Sequence, residues 1–121
     1  GVLAGAMRYH GVAPIVSSLY REKYIEAVAH GQIESYSAGL MFTRAEGIVL
    51  SPHAMYTVKE VIEEALRVKE KGTDDTILFT VTPAINAESS PYDSLLDGVM
   101  HDEKPEEASL KKSLGRFIGR S

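Results

Sequence analysis

The sequence predicts an α/β fold, namely a partial three-layer sandwich with a short, mostly parallel sheet flanked by helices. Residues 76–82 (Thr-Ile-Leu-Phe-Thr-Val-Thr) form a nearly continuous β-branched and apolar run without clean alternation, which is typical of a strand covered on both faces. Residues 52–71, which precede this run, carry apolar side chains at helical spacing with charged side chains between them. A buried strand beside an amphipathic helix indicates a parallel sheet with helices on each side.

The long amphipathic helix over residues 52–71 has clear start and stop signals. Ser51 is a hydroxyl N-cap residue, and Pro52 stands at the first helical position, where its missing N–H costs nothing. Gly72 supplies the C-terminal stop. The apolar stripe of this helix comprises Met55, Val58, Ile62, Ala65 and Leu66.

The N-terminal quarter of the chain is predicted to combine a loop with one short helix. Residues 1–14 contain small residues and glycines at positions 1, 5 and 11, which is typical of a loop. Apolar residues at helical spacing predict a helix over 13–21. Residues 24–29 either continue this helix or form a short buried strand, and we favour the strand.

Three further helical segments are predicted. Apolar residues that recur every three or four positions predict a helix from residue 32 to about residue 45. Pro91 opens a short helical turn. Residues 105–118 are predicted to form a C-terminal helix, because they are acidic at the start and basic at the end, as the helix dipole favours.

Composition narrows the class of protein. The chain has 121 residues, the size of one small domain, and its net charge of −4 comes without a block of basic residues, so nucleic acid is not an expected partner. It has no cysteine, which excludes disulfides and thiolate catalysis and fits a cytoplasmic protein. No apolar stretch approaches the roughly 18 to 20 residues needed to cross a membrane. Because the chain begins with Gly1 rather than Met, we expect an upstream part to be missing.

Common catalytic motifs are absent from the sequence. The histidines, at positions 10, 30, 53 and 101, include no pair at the i, i+4 spacing of a zinc-binding helix. There is no G-x-S-x-G elbow, no P-loop and no G-x-G-x-x-G after a strand. Zinc-dependent, hydrolytic and nucleotide-binding functions therefore have no support.

Three segments in order and register resemble a known family. They are residues 6–14, which contain Arg-Tyr-His-Gly, residues 44–49, which contain Glu-Gly-Ile, and the predicted strand that ends at Thr82. Together they resemble the second type of tryptophan synthase beta chain, a fold type II enzyme that depends on pyridoxal phosphate (PLP). The resemblance runs from about Gly5 to Asp93 and implies that the chain is the C-terminal segment of such an enzyme.

The resemblance implies a role for several side chains. Thr82 matches the family's serine that faces the pyridine nitrogen of PLP, and Glu46 matches a glutamate near the cofactor's 3-oxygen. The loop over residues 1–14 would border the active site on the substrate side through Arg8, Tyr9 and His10. The carbonyls of Tyr9 and Gly11 match the ligands of a monovalent cation in some relatives.

Local sequence alone leaves simpler interpretations open. Thr82 could be a strand-ending threonine that reflects β-propensity, and Glu46 could be a solvated residue at a helix end. The chain also departs from the family after Thr82, where Pro83-Ala84-Ile85-Asn86 replaces a glycine-rich turn. Proline removes a backbone donor and fixes φ, so we expect the wall around the pyridine ring to differ.

The implied activity is that of a PLP-dependent lyase that joins L-serine, or a related amino acid, to indole and forms L-tryptophan. In the family, the Schiff-base lysine and the phosphate-binding loop lie in the N-terminal two thirds. The lysines here fall on predicted charged faces or in loops: Lys23, Lys59, Lys69, Lys71, Lys104, Lys111 and Lys112.

We therefore expect the isolated segment to be inactive. Its expected partners are the N-terminal remainder of the same enzyme, a second copy in a homodimer, and a tryptophan synthase alpha subunit. The alternative is a truncated, non-catalytic remnant that acts as a small α/β interaction or structural protein.

Overall fold

The computed structural model describes residues 3–9, 11–84, 90–103, 106–109 and 111–112. After a 3₁₀ turn at Gly5–Met7, four α-helices follow in this part of the chain: α1 (Pro14–Arg21), α2 (Gln32–Glu46), α3 (Pro52–Lys71) and α4 (Ser90–Leu96). Residues 107–109 and 111–112 are also helical, but the rest of the predicted C-terminal helix over 105–118 falls largely outside the described residues.

The helices follow the sequence closely. Helix α3 spans the same residues, 52–71, that its start and stop signals indicate, and Gly72 adopts the left-handed conformation with φ of 67° that a C-terminal stop requires. Helix α2 begins at the predicted residue and ends one residue later than predicted. Local signals suffice at these ends because each involves neighbours in the chain.

The predicted α/β fold is wrong. The described residues contain helices but no strand and no sheet, and their one sheet-like pairing is an isolated antiparallel bridge between Leu50 and Pro83. Residues 76–82 were expected to be a strand covered on both faces, yet Leu78 is 97% exposed. A strand exists only where a second backbone pairs with it, and no backbone hydrogen bond joins residues 76–81 to another described residue.

The second predicted strand, over residues 24–29, is also wrong. These residues have no regular secondary structure and are exposed throughout. The apolar side chains Ile25 and Val28 prompted this interpretation, but they are 39% and 61% exposed. Helix α1, which precedes them, has no buried residue at all.

The core lies between α2 and α3, which pack antiparallel. Tyr36 of α2 contacts Tyr56 of α3 in an edge-to-face arrangement, with ring centroids 6.3 Å apart. Gly39 permits the closest approach, because a Cβ placed there would lie 2.4 Å from Cγ of Met55. The buried apolar cluster comprises Tyr36, Leu50, Ala54, Met55, Val58 and Met100.

Residues that follow α4 complete the start of α2. The N-cap residue of α2 is Gly31, which has no side chain to satisfy the first free N–H groups of the helix. The Asp102 carboxylate accepts hydrogen bonds from the N–H of Gln32 at 2.5 Å and of Ile33 at 3.3 Å. A capping carboxylate from a distant part of the chain therefore ties α2 to the segment after α4.

Candidate cofactor-facing site

Thr82 is placed by backbone pairing with the segment that leads into α3. The N–H of Ser51 donates to the carbonyl of Thr82 at 2.9 Å, and the N–H of Ala84 donates to the carbonyl of Val49 at 2.8 Å. These two bonds flank the bridge between Leu50 and Pro83. They hold Thr82, an exposed residue, beside Ser51, the N-cap residue of α3.

Pro83 fits this pairing without loss. The two hydrogen bonds around it belong to Ser51 and Ala84, so Pro83 and Leu50 form a non-hydrogen-bonded antiparallel pair. The backbone N–H that proline lacks would point away from the partner segment, and its absence breaks no bond. Of the residues that replace the family's glycine-rich turn, Ile85 and Asn86 lie outside the described residues.

Glu46 lies at the start of the connection between α2 and α3. It is the last residue of α2, and Gly47 turns the chain there through the left-handed conformation with φ of 72°. Val49, whose carbonyl is paired with Ala84, lies three positions after Glu46, so about 11 Å of chain at most joins Glu46 to this pairing. Glu46 and Thr82 are both exposed.

Two side chains make hydrogen bonds at this connection, Tyr92 and Ser51. Tyr92, on α4, donates its hydroxyl hydrogen to the carbonyl of Leu50 at 2.5 Å. Ser51 occupies the N-cap position of α3, but its hydroxyl makes no cap hydrogen bond and lies 3.2 Å from Nε2 of His53. Sequence analysis recognised Ser51 as a cap and missed Tyr92, because the contact joins residues 42 positions apart.

The predicted substrate-side loop begins at the other end of α2. The N–H of Leu3 donates to the side-chain carbonyl of Gln32 at 2.6 Å, at the start of the helix. Glu46 lies at its far end, about 21 Å away along the axis of a 15-residue helix. Arg8, Tyr9 and Gly11 are exposed, and His10 lies outside the described residues.

The described part of the chain holds no cluster of three or more His, Cys, Asp or Glu side chains that could bind a metal. The cation site predicted from the carbonyls of Tyr9 and Gly11 is of a different kind, because it uses backbone oxygens, and it stays a prediction. None of the helices in the described residues is both long and apolar enough to span a membrane.

The described lysines lie in ion pairs or at exposed positions. Lys59 lies 2.5 Å from Glu63 and 3.6 Å from Glu34, and the hydrogen bond with Glu63 raises its pKa. Schiff-base chemistry needs the opposite shift, a lysine whose pKa is lowered in a dry pocket. Five of the other lysines are exposed, namely Lys23, Lys69, Lys71, Lys111 and Lys112. Lys104 lies outside the described residues.

Comparison with known proteins identifies relatives of one kind. The chain is 43% identical over 99 residues to tryptophan synthase beta chain 2 of Aquifex aeolicus, a match that covers 82% of this chain and 23% of that protein. It is 38% identical over 104 residues to the tryptophan synthase beta chain of Thermococcus onnurineus, covering 86% of this chain and 24% of the relative. The chain resembles tryptophan synthase beta chains. The resemblance predicted from the three motifs is thus confirmed.

The tryptophan synthase beta chain 2 of Methanosarcina mazei gives a similar match, with 40% identity over 95 residues, 78% of this chain and 22% of the relative. The chain therefore spans about a quarter of the length of these tryptophan synthase beta chains. No protein-family model matches the chain, and no solved structure matches it significantly.

The described residues fit PLP as one side of its site. Thr82 is an exposed residue on a backbone that two hydrogen bonds hold in place, and Glu46 is exposed at the start of the connection that makes those bonds. Neither side chain is sealed in apolar packing, which would have excluded a cofactor in front of it.

Proposed function

We propose that this chain is the C-terminal part of a PLP-dependent β-replacement lyase of the tryptophan synthase type, which joins L-serine or a related amino acid to indole. One observation carries the proposal: the pairing of residues 49–51 with 82–84 holds the exposed Thr82 beside the connection that follows the exposed Glu46. These residues lie in two of the three motifs that resemble the tryptophan synthase beta chains.

When bound, PLP supplies an electron sink for the amino acid substrate. In the proposed site the Thr82 hydroxyl would hold the pyridine nitrogen through a neutral hydrogen bond. A neutral hydroxyl would not keep that nitrogen protonated as a carboxylate would, and this suits elimination and replacement. Glu46 would hold or return a proton at the cofactor's 3-oxygen, because a carboxylate there influences which form is protonated.

The isolated chain is proposed to be inactive. The Schiff-base lysine and the phosphate-binding groups come from the N-terminal remainder of the enzyme, which also covers apolar side chains that are exposed here. Among these are Leu78, at 97% exposed, and Tyr24, at 79%. Apolar side chains as exposed as these are free to be covered when the remainder of the enzyme packs against them. The other proposed partners are a second copy of the enzyme, in a homodimer, and an alpha subunit. The alternative, a self-sufficient interaction protein, is less well supported because many large apolar side chains are exposed to solvent.

A chimera tests the proposal. In the chimera, this chain takes the place of the stretch of Aquifex aeolicus tryptophan synthase beta chain 2 that aligns with it over 99 residues. We expect the chimera to retain PLP through gel filtration, measured by visible absorbance, and to form tryptophan from serine and indole. The isolated 121-residue chain should do neither. A folded chimera, judged by circular dichroism, that binds no PLP would refute the proposal.

Substitutions in the chimera test the role of Thr82. Thr82→Val removes the hydroxyl at nearly constant volume, and we expect kcat to fall by roughly tenfold, about the value of one good hydrogen bond. Thr82→Ser keeps the hydroxyl and should retain activity. Thr80→Val is the matched control, because Thr80 is an exposed threonine of the same segment. Equal activity of the Thr82→Val and Thr80→Val chimeras would show that Thr82 has no such role.

A further inference from the structure

Tyr92 lies on the opposite side of residues 49–51 from Thr82. In a non-hydrogen-bonded antiparallel pair, the N–H and C=O of the paired residue point away from the partner segment. The carbonyl of Leu50 therefore points away from residues 82–84, and it is this carbonyl that accepts the hydrogen bond from the Tyr92 hydroxyl at 2.5 Å. Residues 49–51 are thus held from both sides.

The contact lies in the interior of the molecule. Leu50 is fully buried, and the ring of Tyr92 packs against the apolar cluster that contains Leu50, Met55 and Met100. A buried carbonyl that loses its donor pays a desolvation cost, because water cannot replace the missing partner. Removing the Tyr92 hydroxyl would therefore favour a shift of Leu50 and of the residues on either side of it.

Such a shift would reach Thr82 directly. Val49 and Ser51, the neighbours of Leu50, make the two backbone hydrogen bonds that hold residues 82–84. In the described part of the chain, the segment before Thr82 has no backbone hydrogen bonds that could hold it independently. The backbone hydrogen bonds that place Thr82 thus come from residues 49–51, while the segment before it is held by side-chain packing of Phe79 on Phe42.

We propose that Tyr92 is a positioning residue that sets the direction of the Thr82 hydroxyl through the carbonyl of Leu50. This inference rests on the proposed function, because it concerns the hydroxyl that would face the cofactor. Tyr92 itself touches neither substrate nor cofactor in this proposal. Its effect on catalysis should therefore exist only while the Thr82 hydroxyl is present.

The first experiment uses the full chain without cofactor. Tyr92→Phe keeps the ring and removes the hydroxyl, and Tyr24→Phe is the matched control, since Tyr24 is 79% exposed. We expect the amides of Ser51 and Ala84 to exchange with deuterium about fivefold faster in Tyr92→Phe, the effect of one lost hydrogen bond. Amides in the middle of α3 should be unaffected. Unchanged exchange at Ser51 and Ala84 would overturn the proposal.

The second experiment uses a double-mutant cycle in the chimera. We expect Tyr92→Phe to lower kcat by roughly tenfold with little change in KM when Thr82 is present. In the Thr82→Val background the same change should have little further effect on kcat or on the absorbance maximum of bound PLP. A purely structural role for Tyr92 would lower kcat by the same factor in both backgrounds, and that result would overturn the proposal.

The two experiments separate this inference from the proposed function. A chimera that binds no PLP refutes the proposed function, and the exchange measurement still shows whether Tyr92 holds the pairing. A chimera that binds PLP and loses activity in Thr82→Val, but is indifferent to Tyr92→Phe, retains the proposed function and refutes the role of Tyr92.

Discussion

Replacing Asp102 should loosen the start of α2, although the two lie 70 residues apart in sequence. The carboxylate of Asp102 accepts from the N–H groups of Gln32 and Ile33, two of the free donors at the helix start. Gly31 makes room for it, because a Cβ at Gly31 would lie 2.8 Å from Oδ2 of Asp102. The cap and the space for the cap come from different parts of the chain.

The magnitude follows from the geometry. Loss of a capping side chain costs about 0.5–2 kcal/mol, and a hydrogen bond to a charged group contributes about 1.5–3 kcal/mol. Asp102 is exposed, so solvent screens its charge, and we expect Asp102→Ala to lower the free energy of unfolding by about 1–2 kcal/mol. Asp102→Asn keeps an acceptor oxygen without the favourable charge at the helix N-terminus, so its effect should be about half as large.

Urea denaturation of the full chain measures this change, with Asp74→Ala as the matched control because Asp74 is an exposed loop residue. Deuterium exchange locates it: the amides of Gln32 and Ile33 should lose about five- to thirtyfold in protection. Gly31→Ala should reproduce the effect by displacing the carboxylate. Equal unfolding midpoints for Asp102→Ala and Asp74→Ala, with unchanged exchange at Gln32 and Ile33, would refute this account of the helix start.

Three further predictions concern stability and can be measured by denaturation of the full chain. Gly39→Ala gains about 1 kcal/mol of helix propensity in α2, but the added Cβ would lie 2.4 Å from Cγ of Met55. The overpacking should cost about 1–3 kcal/mol and make the variant less stable overall. A stabilised variant would show that Met55 moves aside freely. Met55→Ala should cost about 2–5 kcal/mol because Met55 is fully buried, whereas Leu78→Ser should stay within about 0.5 kcal/mol because Leu78 is 97% exposed. A large loss of stability in Leu78→Ser would show that the Leu78 side chain is packed. Hydrogen bonding by Arg67, and then by His30, lowers the pKa of Glu60 below its usual 4.5. The ionised Glu60 therefore stabilises the fold fully above pH 4.5, and this stabilisation is lost as the pH falls through the lowered pKa. Glu60→Gln should flatten the decline of unfolding free energy at acid pH, and an unchanged dependence of stability on pH would contradict this account.

The helices could be predicted because their signals are local. Pro52 at the first position of α3 and Gly72 after its last residue belong to the helix they delimit, and both behave as expected. The start of α2 was also predicted correctly, but for an incomplete reason. The apolar spacing marks Gln32 as the first residue, while the group that caps it, Asp102, belongs to the other end of the chain and leaves no local signal.

The fold class could not be predicted in the same way, because strand formation depends on a partner. The apolar, β-branched composition of residues 76–82 indicates a preference for burial and for extended backbone, but it does not determine whether a sheet forms. Whether they enter a sheet depends on a second backbone at hydrogen-bonding distance, and a single sequence does not show where that backbone lies. In the described residues no second backbone pairs with residues 76–81, so the strand predicted from their composition does not form.

The residues of the candidate site could be predicted from local sequence, but their arrangement in space could not. Thr82 and Glu46 were found through motifs, each of which occupies a short stretch of sequence. The pairing of residues 49–51 with 82–84 places Thr82 beside the connection that follows Glu46, and no pattern in the sequence predicted that pairing. Tyr92 was missed because an isolated tyrosine near a helix start has no feature that distinguishes it from other half-buried tyrosines.

Backbone hydrogen bonds hold Thr82, whereas the segment that precedes it has none among the described residues. Residues 76–81 lack backbone hydrogen-bond partners among the described residues, although Phe79 packs on Phe42, whereas residues 82–84 are paired with residues 49–51 and, through Leu50 and Tyr92, with α4. The amide of Ala84 should therefore be protected from exchange while those of residues 77–81 exchange faster. In the proposed enzyme, a segment held in this way would present the Thr82 hydroxyl before the N-terminal part covers the exposed apolar side chains, so this part of the site would already be formed when the two parts meet.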